Sequence, residues 1–179
     1  MQLKTDEAAA LPAAEESEAF RGSFEAFYRR EIRAIVGLAY VLSGSRRAAE
    51  DLAQEAFLSA FRHWDRIGAF DNPGAWVRRV VSNRAVSLYR RKAAEARAML
   101  RMGGEDYTVS EPDTQAIHLW NEIRRLPRRQ SQVMALRYYD QLPIADIALI
   151  LECSETTVKT HIQRAKKALV FRLEGENPK

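Results

Sequence analysis

The sequence predicts an all-α protein made of two small helical domains joined by a flexible linker. Three observations carry this. Apolar residues recur at helical spacing along most of the chain, and no run shows the period-two alternation and β-branched enrichment of a strand. The eight glycines and six prolines fall largely at segment borders, leaving long stretches without breakers. Residues 93–116 change character, first alanine- and arginine-rich, then broken by Gly103-Gly104 and followed by an acidic tract with Pro112, as expected of a linker.

Residues 1–19 are rich in alanine and acids with almost no large apolar side chain, which predicts a disordered acidic tail. The first helix is expected from about Ser23 to Leu42, with Phe24, Phe27, Ile35, Leu38 and Leu42 on one side and Ser43-Gly44 ending it. The second covers residues 49–64. At 100° per residue, Leu52, Ala53, Ala56, Phe57, Ala60 and Trp64 share a face, and Asp51, Glu55, Leu58 and Arg62 line the opposite one. A loop with Gly68, Asp71, Asn72, Pro73 and Gly74 precedes a third helix from Ala75 to about Lys92, closing a first domain over 20–92. Its buried stripe is Val77, Val81, Ala85 and Leu88, while Arg79, Asn83 and Arg90 project elsewhere with Arg84 and Arg91 alongside. Trp76, at the start of this helix, could stack on a base but reads more readily as core.

The second domain spans 117–173, with residues 174–179 as a tail. Helical pattern runs from Ile117 to Arg125, restarts after Pro127 as RRQSQVMALRYYD, and continues from Pro143 to Leu151. Glu152-Cys153-Ser154 make a tight turn, and Ser154 is a good N-cap for a last helix reaching about Leu173. Ile144, Ile147, Ala148 and Leu151 face Val158, Ile162, Ala165 and Leu169 across that turn, the arrangement of a helix-turn-helix. Leu149 points away from this core.

Composition narrows the function. With 46% hydrophobic and 29% charged residues, and no apolar stretch near the roughly 20 residues a spanning helix needs, the chain reads as cytoplasmic and not inserted in a membrane. Cys153 is the only cysteine and His63, His118 and His161 are scattered, so neither an internal disulfide nor a structural zinc site is expected. No GxxxxGK loop, HExxH or nucleophile with its base is found; the sequence calls for no metal, no cofactor and no covalent chemistry.

The net charge of +4 hides an uneven distribution. Three stretches hold bases and no acid: 78–92 with Arg78, Arg79, Arg84, Arg90, Arg91 and Lys92; 124–137 with Arg124, Arg125, Arg128, Arg129 and Arg137; and 158–172 with Lys159, Arg164, Lys166, Lys167 and Arg172. Solvated helices mix both signs, so these blocks point to a polyanion. On the last helix the face opposite the core carries Thr156, Thr160, Gln163 and Lys167, flanked by Lys159, Lys166 and Arg164. Such side chains bond base edges and phosphates when a helix enters the major groove. The stripe of Asp51, Glu55 and Leu58 is different. A solvated face explains the acids but leaves the leucine to chance, whereas a basic helical partner explains both.

The segment LPRRQSQVMALRYYDQLPIADIA followed by TVKTHIQRAKKAL resembles region 4 of bacterial sigma-70 family factors, although the helix-turn-helix alone also suits a response-regulator output domain. The first domain decides between them. Residues 24–91, through AEDLAQEAFLSAFRHW, Asn72-Pro73-Gly74 and AWVRRVVSNRAVSLYRR, resemble sigma region 2. Two modules in this order, with nothing resembling the family's regions 1.1 and 3, match its minimal extracytoplasmic-function group. The resemblance implies that Asp51, Gln54, Glu55 and Leu58 dock on the clamp helices of the largest core RNA polymerase subunit. It implies that Arg66, Asn72, Arg79, Asn83, Arg84 and Arg90 meet and help melt the −10 promoter element, the loop from Arg66 to Pro73 receiving a flipped base. Thr156, Thr157, Lys159, Thr160, Gln163, Arg164, Lys166 and Lys167 would read the −35 element. The partners implied are core RNA polymerase, double-stranded and melted promoter DNA, and an anti-sigma factor, with the acidic linker near the polymerase cleft. Ser87 departs from the family, where many members carry aspartate four residues after the asparagine, which leaves the preferred −10 sequence open. A DNA-binding regulator that does not replace the initiation subunit would leave the Asp51 to Leu58 face unused; a purely protein-binding adaptor would leave the basic helices unexplained.

Overall fold

The computed structural model describes residues 13–101 and 115–175. The Gly103-Gly104 break, the acidic tract and residues 176–179 of the expected C-terminal tail lie outside them, while α8 continues to Gly175, inside that tail. The first module comprises α1 (Ala13–Ser43), α2 (Arg46–Arg62), the single turn α3 (Trp64–Ile67) and α4 (Pro73–Arg101). The second comprises α5 (Gln115–Arg125), α6 (Arg128–Met134), a π-helical turn (Ala135–Tyr139), α7 (Ile144–Leu151) and α8 (Glu155–Gly175).

Several helix ends lie beyond where periodicity puts them, two of them by a wide margin. Helix α1 begins at Ala13, inside the expected tail, and α4 continues to Arg101, inside the expected linker. Both extensions are rich in alanine, glutamate or arginine, strong helix formers that need no apolar stripe to favour the helical backbone. The linker expected over 93–116 is therefore helical at both of its described ends. The second helix is also split: α2 stops at Arg62, and His63 separates it from the Trp64 turn.

Helix α1 packs against α2 and α4, and the expected faces are the buried ones. Ile35, Leu38 and Leu42 on α1, Leu52, Ala53, Ala56, Phe57 and Ala60 on α2, and Val77, Val81 and Ala85 on α4 are all buried. Trp64 closes one end, its ring centroid 4.7 Å from that of Phe27 and its indole N–H donating to Ser23 Oγ at 2.8 Å. Trp76 packs partly buried against the core. In the second module Val158, Ala165 and Leu169 of α8 pack against α6 and α7, where Ile150 is buried in addition to the expected Ile147, Ala148 and Leu151.

Caps fix the junctions. Ser45 accepts the Ala48 N–H at the start of α2, and Asn72 Oδ1 accepts the Ala75 N–H (3.0 Å) just before Pro73, the residue best suited to the first helical position. Ser154 Oγ accepts the Thr157 N–H at 3.1 Å, as expected. Glu152 ends α7 in the left-handed region (φ 53°), and the Cys153 N–H closes on the Ala148 carbonyl at 3.0 Å, giving the sharp turn of the helix-turn-helix.

The modules pack on each other. Arg124 of α5 donates to the Val41 carbonyl in the last turn of α1 (3.0 Å), a favourable place for a cation at a helix C-terminus. Gly44 makes room: its φ of +72° suits glycine, and a Cβ there would lie 2.9 Å from Arg124 Nε.

Candidate polymerase and nucleic-acid interfaces

Helix α2 presents two chemically distinct faces. Opposite its buried stripe, Asp51, Gln54, Glu55 and Leu58 are all exposed, Leu58 at 47%. Phe61, one turn on from Leu58 and 37% exposed, widens the apolar part of this surface. Sequence reasoning passed over Phe61, though its three-residue spacing from Leu58 was the available signal. Glu55 also accepts a hydrogen bond from Arg84 of α4 at 2.7 Å, linking the acidic stripe to the basic helix beside it. Asp51, Glu55, Arg84, Ser87 and Arg91 line the groove between the two helices.

On α4 the expected −10-facing side chains fall in different surroundings. Arg90 is exposed, and Arg84 is half-exposed in its pair with Glu55. Arg79 pairs with Glu152 at the helix-turn-helix turn. Asn83 is only part-exposed, its Oδ1 accepting from Arg128 Nη2 (2.6 Å) and Gln132 Nε2 (2.8 Å) of the second module. Ser87 donates back to the Asn83 carbonyl at 2.8 Å. In the preceding loop Arg66 and Asn72 are exposed, but the Asn72 side chain is engaged as the α4 cap. Phe70, 40% exposed in that loop, is a further residue that sequence reasoning missed; a lone aromatic between Gly68 and Pro73 was the signal.

Arg78 sits between the modules. Its Nη1 donates to Glu31 of α1 (2.8 Å) and its Nε to Asp140 of the π-helical turn (2.7 Å), with all three side chains largely buried. Burial works against ionisation of Glu31, but hydrogen bonds from Arg30 and Arg78 outweigh it and hold the carboxyl below the usual range. Burial likewise disfavours the charged Arg78, and its hydrogen bonds to Asp140 and Glu31 more than compensate.

On α8 the residues expected to read the −35 element differ in exposure. Thr156, Lys159, Gln163, Arg164, Lys166 and Lys167 are exposed, while Thr157 and Thr160 are intermediate. Two of the hydroxyls are engaged locally: Thr157 Oγ1 bonds Ser154 Oγ, and Thr160 Oγ1 donates to the Thr156 carbonyl at 2.9 Å. Lys166 Nζ lies 5.5 Å from the centre of the Tyr138 ring. On the inner side, burial and then the charges of Arg164 and Arg129 lower the His161 pKa, favouring a neutral imidazole. Leu149 on α7 points outward, 68% exposed.

Comparison with known proteins identifies the two modules. Residues 27–95 match the model of sigma-70 region 2, and residues 118–169 match that of sigma-70 region 4. The chain is 32% identical over 155 residues to the ECF RNA polymerase sigma factor SigM of Mycobacterium tuberculosis, covering 83% of this chain and 76% of that protein. It belongs to the ECF sigma factors.

A second relative of this sigma factor is ECF RNA polymerase sigma factor SigW of Bacillus subtilis, 29% identical over 150 residues, 75% of this chain and 80% of that one. Among solved structures, the fold is shared with the sigma factor RpoE of Bartonella quintana, crystallised with the anti-sigma factor NepR. The TM-score is 0.65 at 22% identity, over 86% of this chain and 98% of that one. As an ECF sigma factor the protein directs RNA polymerase to promoters and is a regulatory initiation factor. No helix among the described residues is long and apolar enough to cross a membrane.

Proposed function

We propose that this sigma factor divides promoter recognition among three faces. The stripe of Asp51, Gln54, Glu55 and Leu58, widened by Phe61, docks on basic clamp helices of core polymerase. Arg79, Asn83, Arg84 and Arg90, with Arg66 in the preceding loop, hold the −10 element as it melts. Phe70, 40% exposed, is the more accessible aromatic to stack on an unpaired base, Trp76 being partly buried against the core. The α8 face of Thr156, Lys159, Thr160, Gln163, Arg164, Lys166 and Lys167 reads the −35 element, with Thr157 serving the helix start. The observation that carries this reading is the separation of chemistries on neighbouring helices: acids with exposed apolar residues on α2, cations with amides on α4 and α8. The chain itself performs no bond-making step and works in the cytoplasm, where an anti-sigma factor masks the same faces.

The role of Asn83 gives the test. A side-chain amide that holds a displaced strand acts after −35 binding, so Asn83→Ala is expected to keep −35 affinity within about twofold and to cut open-complex formation about tenfold, the effect of losing ~1–1.5 kcal/mol. Permanganate reactivity of unpaired thymines in the reconstituted holoenzyme reads this directly. Normal melting by the variant would return Asn83 to a structural role.

A further inference from the structure

Tyr138 belongs to none of the three promoter-binding faces and is 45% exposed, although its ring is a large apolar surface. It stands in the π-helical turn, whose extra residue re-aims the side chains around it. Two consecutive tyrosines part there. Tyr139 goes towards α5, its ring centroid 6.1 Å from that of Trp120, whereas Tyr138 lies against α8 with Lys166 Nζ 5.5 Å from its ring centre. The backbone that presents Tyr138 is pinned on both sides. The Asp140 N–H donates to the Ala135 carbonyl at 3.1 Å and the Leu142 N–H to the Leu136 carbonyl at 3.0 Å, while Arg137 Nη1 donates to the Leu142 carbonyl at 2.8 Å. The ring is therefore offered to α8 from a fixed piece of chain.

A lysine is a strongly hydrated point charge on a flexible stem, and ordering that stem on a partner costs rotamer freedom. Helix α8 steadies two of its exposed lysines in different ways. Lys159 Nζ lies 3.8 Å from Glu155 Oε2, one turn earlier on the helix, and that carboxylate repels the phosphate the lysine would bind. Lys166 has an uncharged ring instead, within the roughly 6 Å over which a π face attracts a cation. The attraction orients the ammonium without cancelling its charge, and an ammonium with three donors still has N–H groups to give to a phosphate.

We propose that Tyr138 is a positioning residue for −35 binding: from the π-helical turn it holds the Lys166 ammonium at the flank of the recognition face with its charge intact, so that the lysine meets the DNA backbone already ordered. This rests on the reading of α8 as the −35-facing helix. Because the contact it serves is to phosphate, Tyr138 adds affinity on every −35 sequence alike and carries no base preference. The gain is one of preorganisation, since the side chain that would be immobilised on binding is steadied beforehand.

The test is a double-mutant cycle in the full chain, titrated over a range of salt with a fluorescent duplex carrying a −35 element. Tyr138→Leu removes the π face and keeps an apolar side chain; Tyr138→Phe keeps the face and removes the hydroxyl. Tyr138→Leu is expected to weaken binding about two- to fivefold, the worth of an exposed cation–π contact, and Tyr138→Phe to bind as the parent does. Lys166→Ala alone is expected to weaken binding and to make the salt slope shallower by about 0.9. In that background Tyr138→Leu should cost nothing further, and any damage to the turn itself appears in both backgrounds and cancels in the cycle. Equal losses from Tyr138→Leu with and without Lys166, no loss at all, or the same loss from Tyr138→Phe overturn the positioning role and leave the −35 reading standing. If Lys166→Ala changes neither affinity nor slope, or if the parent binds the duplex neither alone nor with core polymerase, the reading beneath the proposal fails and the proposal with it.

Discussion

Changing Asp51 and Glu55 together to lysine is expected to abolish stable association with core RNA polymerase. Like charges facing each other across an interface cost several kcal/mol, and each 1.4 kcal/mol is tenfold in affinity, so a loss of roughly 10²–10³-fold is expected. The fold should survive. Both residues are exposed, their helix buries the opposite face, and the one local bond removed, Glu55 to Arg84, joins two well-solvated side chains whose pairing is worth about 0–1 kcal/mol. Leu58→Asp should weaken binding through the apolar part of the same surface, again with little effect on stability. Pull-down with core polymerase alongside circular dichroism separates the two effects; undiminished binding by the double lysine variant would remove α2 from the interface.

The recognition helix gives the second large effect. Arg164→Ala with Lys166→Ala removes two exposed cations that flank the base-reading face, so binding should weaken on every −35 sequence alike. The slope of log affinity against log salt should become shallower by about 0.9 for each phosphate no longer neutralised, close to two in all. Gln163→Ala should instead alter which sequence is preferred, at ~1–3 kcal/mol for the position it reads. Thr160 is the weaker reader, because its hydroxyl proton is already given to the Thr156 carbonyl and only its methyl and lone pairs remain for a base. Titrations of duplexes varied at single positions, over a range of salt, separate the two classes. A Gln163 variant that loses affinity uniformly would mean that this side chain holds backbone.

Much of this was legible in the sequence because it depends on neighbours three and four residues apart. The two faces of α2, the buried stripes of α4 and α8, the Ser154 cap and the outward Leu149 follow from helical spacing alone. Long-range pairing does not. The acid-free stretch 124–137 reads as a polyanion contact, yet Arg124 bonds the end of α1, Arg128 bonds Asn83, Arg137 donates to the Leu142 carbonyl at 2.8 Å and Arg125 pairs with the buried Glu122. A local count of charge cannot find the acceptors that the fold brings to Arg124 and Arg128 from other helices, nor the backbone carbonyl that takes Arg137, and Glu122 lies three residues from Arg125, just outside the acid-free stretch. Arg78 and Asp140, 62 residues apart, illustrate the same gap. Asn72 was assigned to DNA through family resemblance, although Asn before Pro is also an ordinary helix start, and its side chain is engaged there. The long ends of α1 and α4 were missed for a different reason: they are helical by composition, with no apolar period to reveal them.

The measurement closest to the central claim is run-off transcription with purified core RNA polymerase, this chain and a set of genomic promoter fragments, with the Asp51→Lys/Glu55→Lys chain run in parallel. The account predicts discrete transcripts from a subset of fragments, dependent on the chain and lost with the double variant. No specific transcript from any fragment, together with no binding to core polymerase, would contradict it.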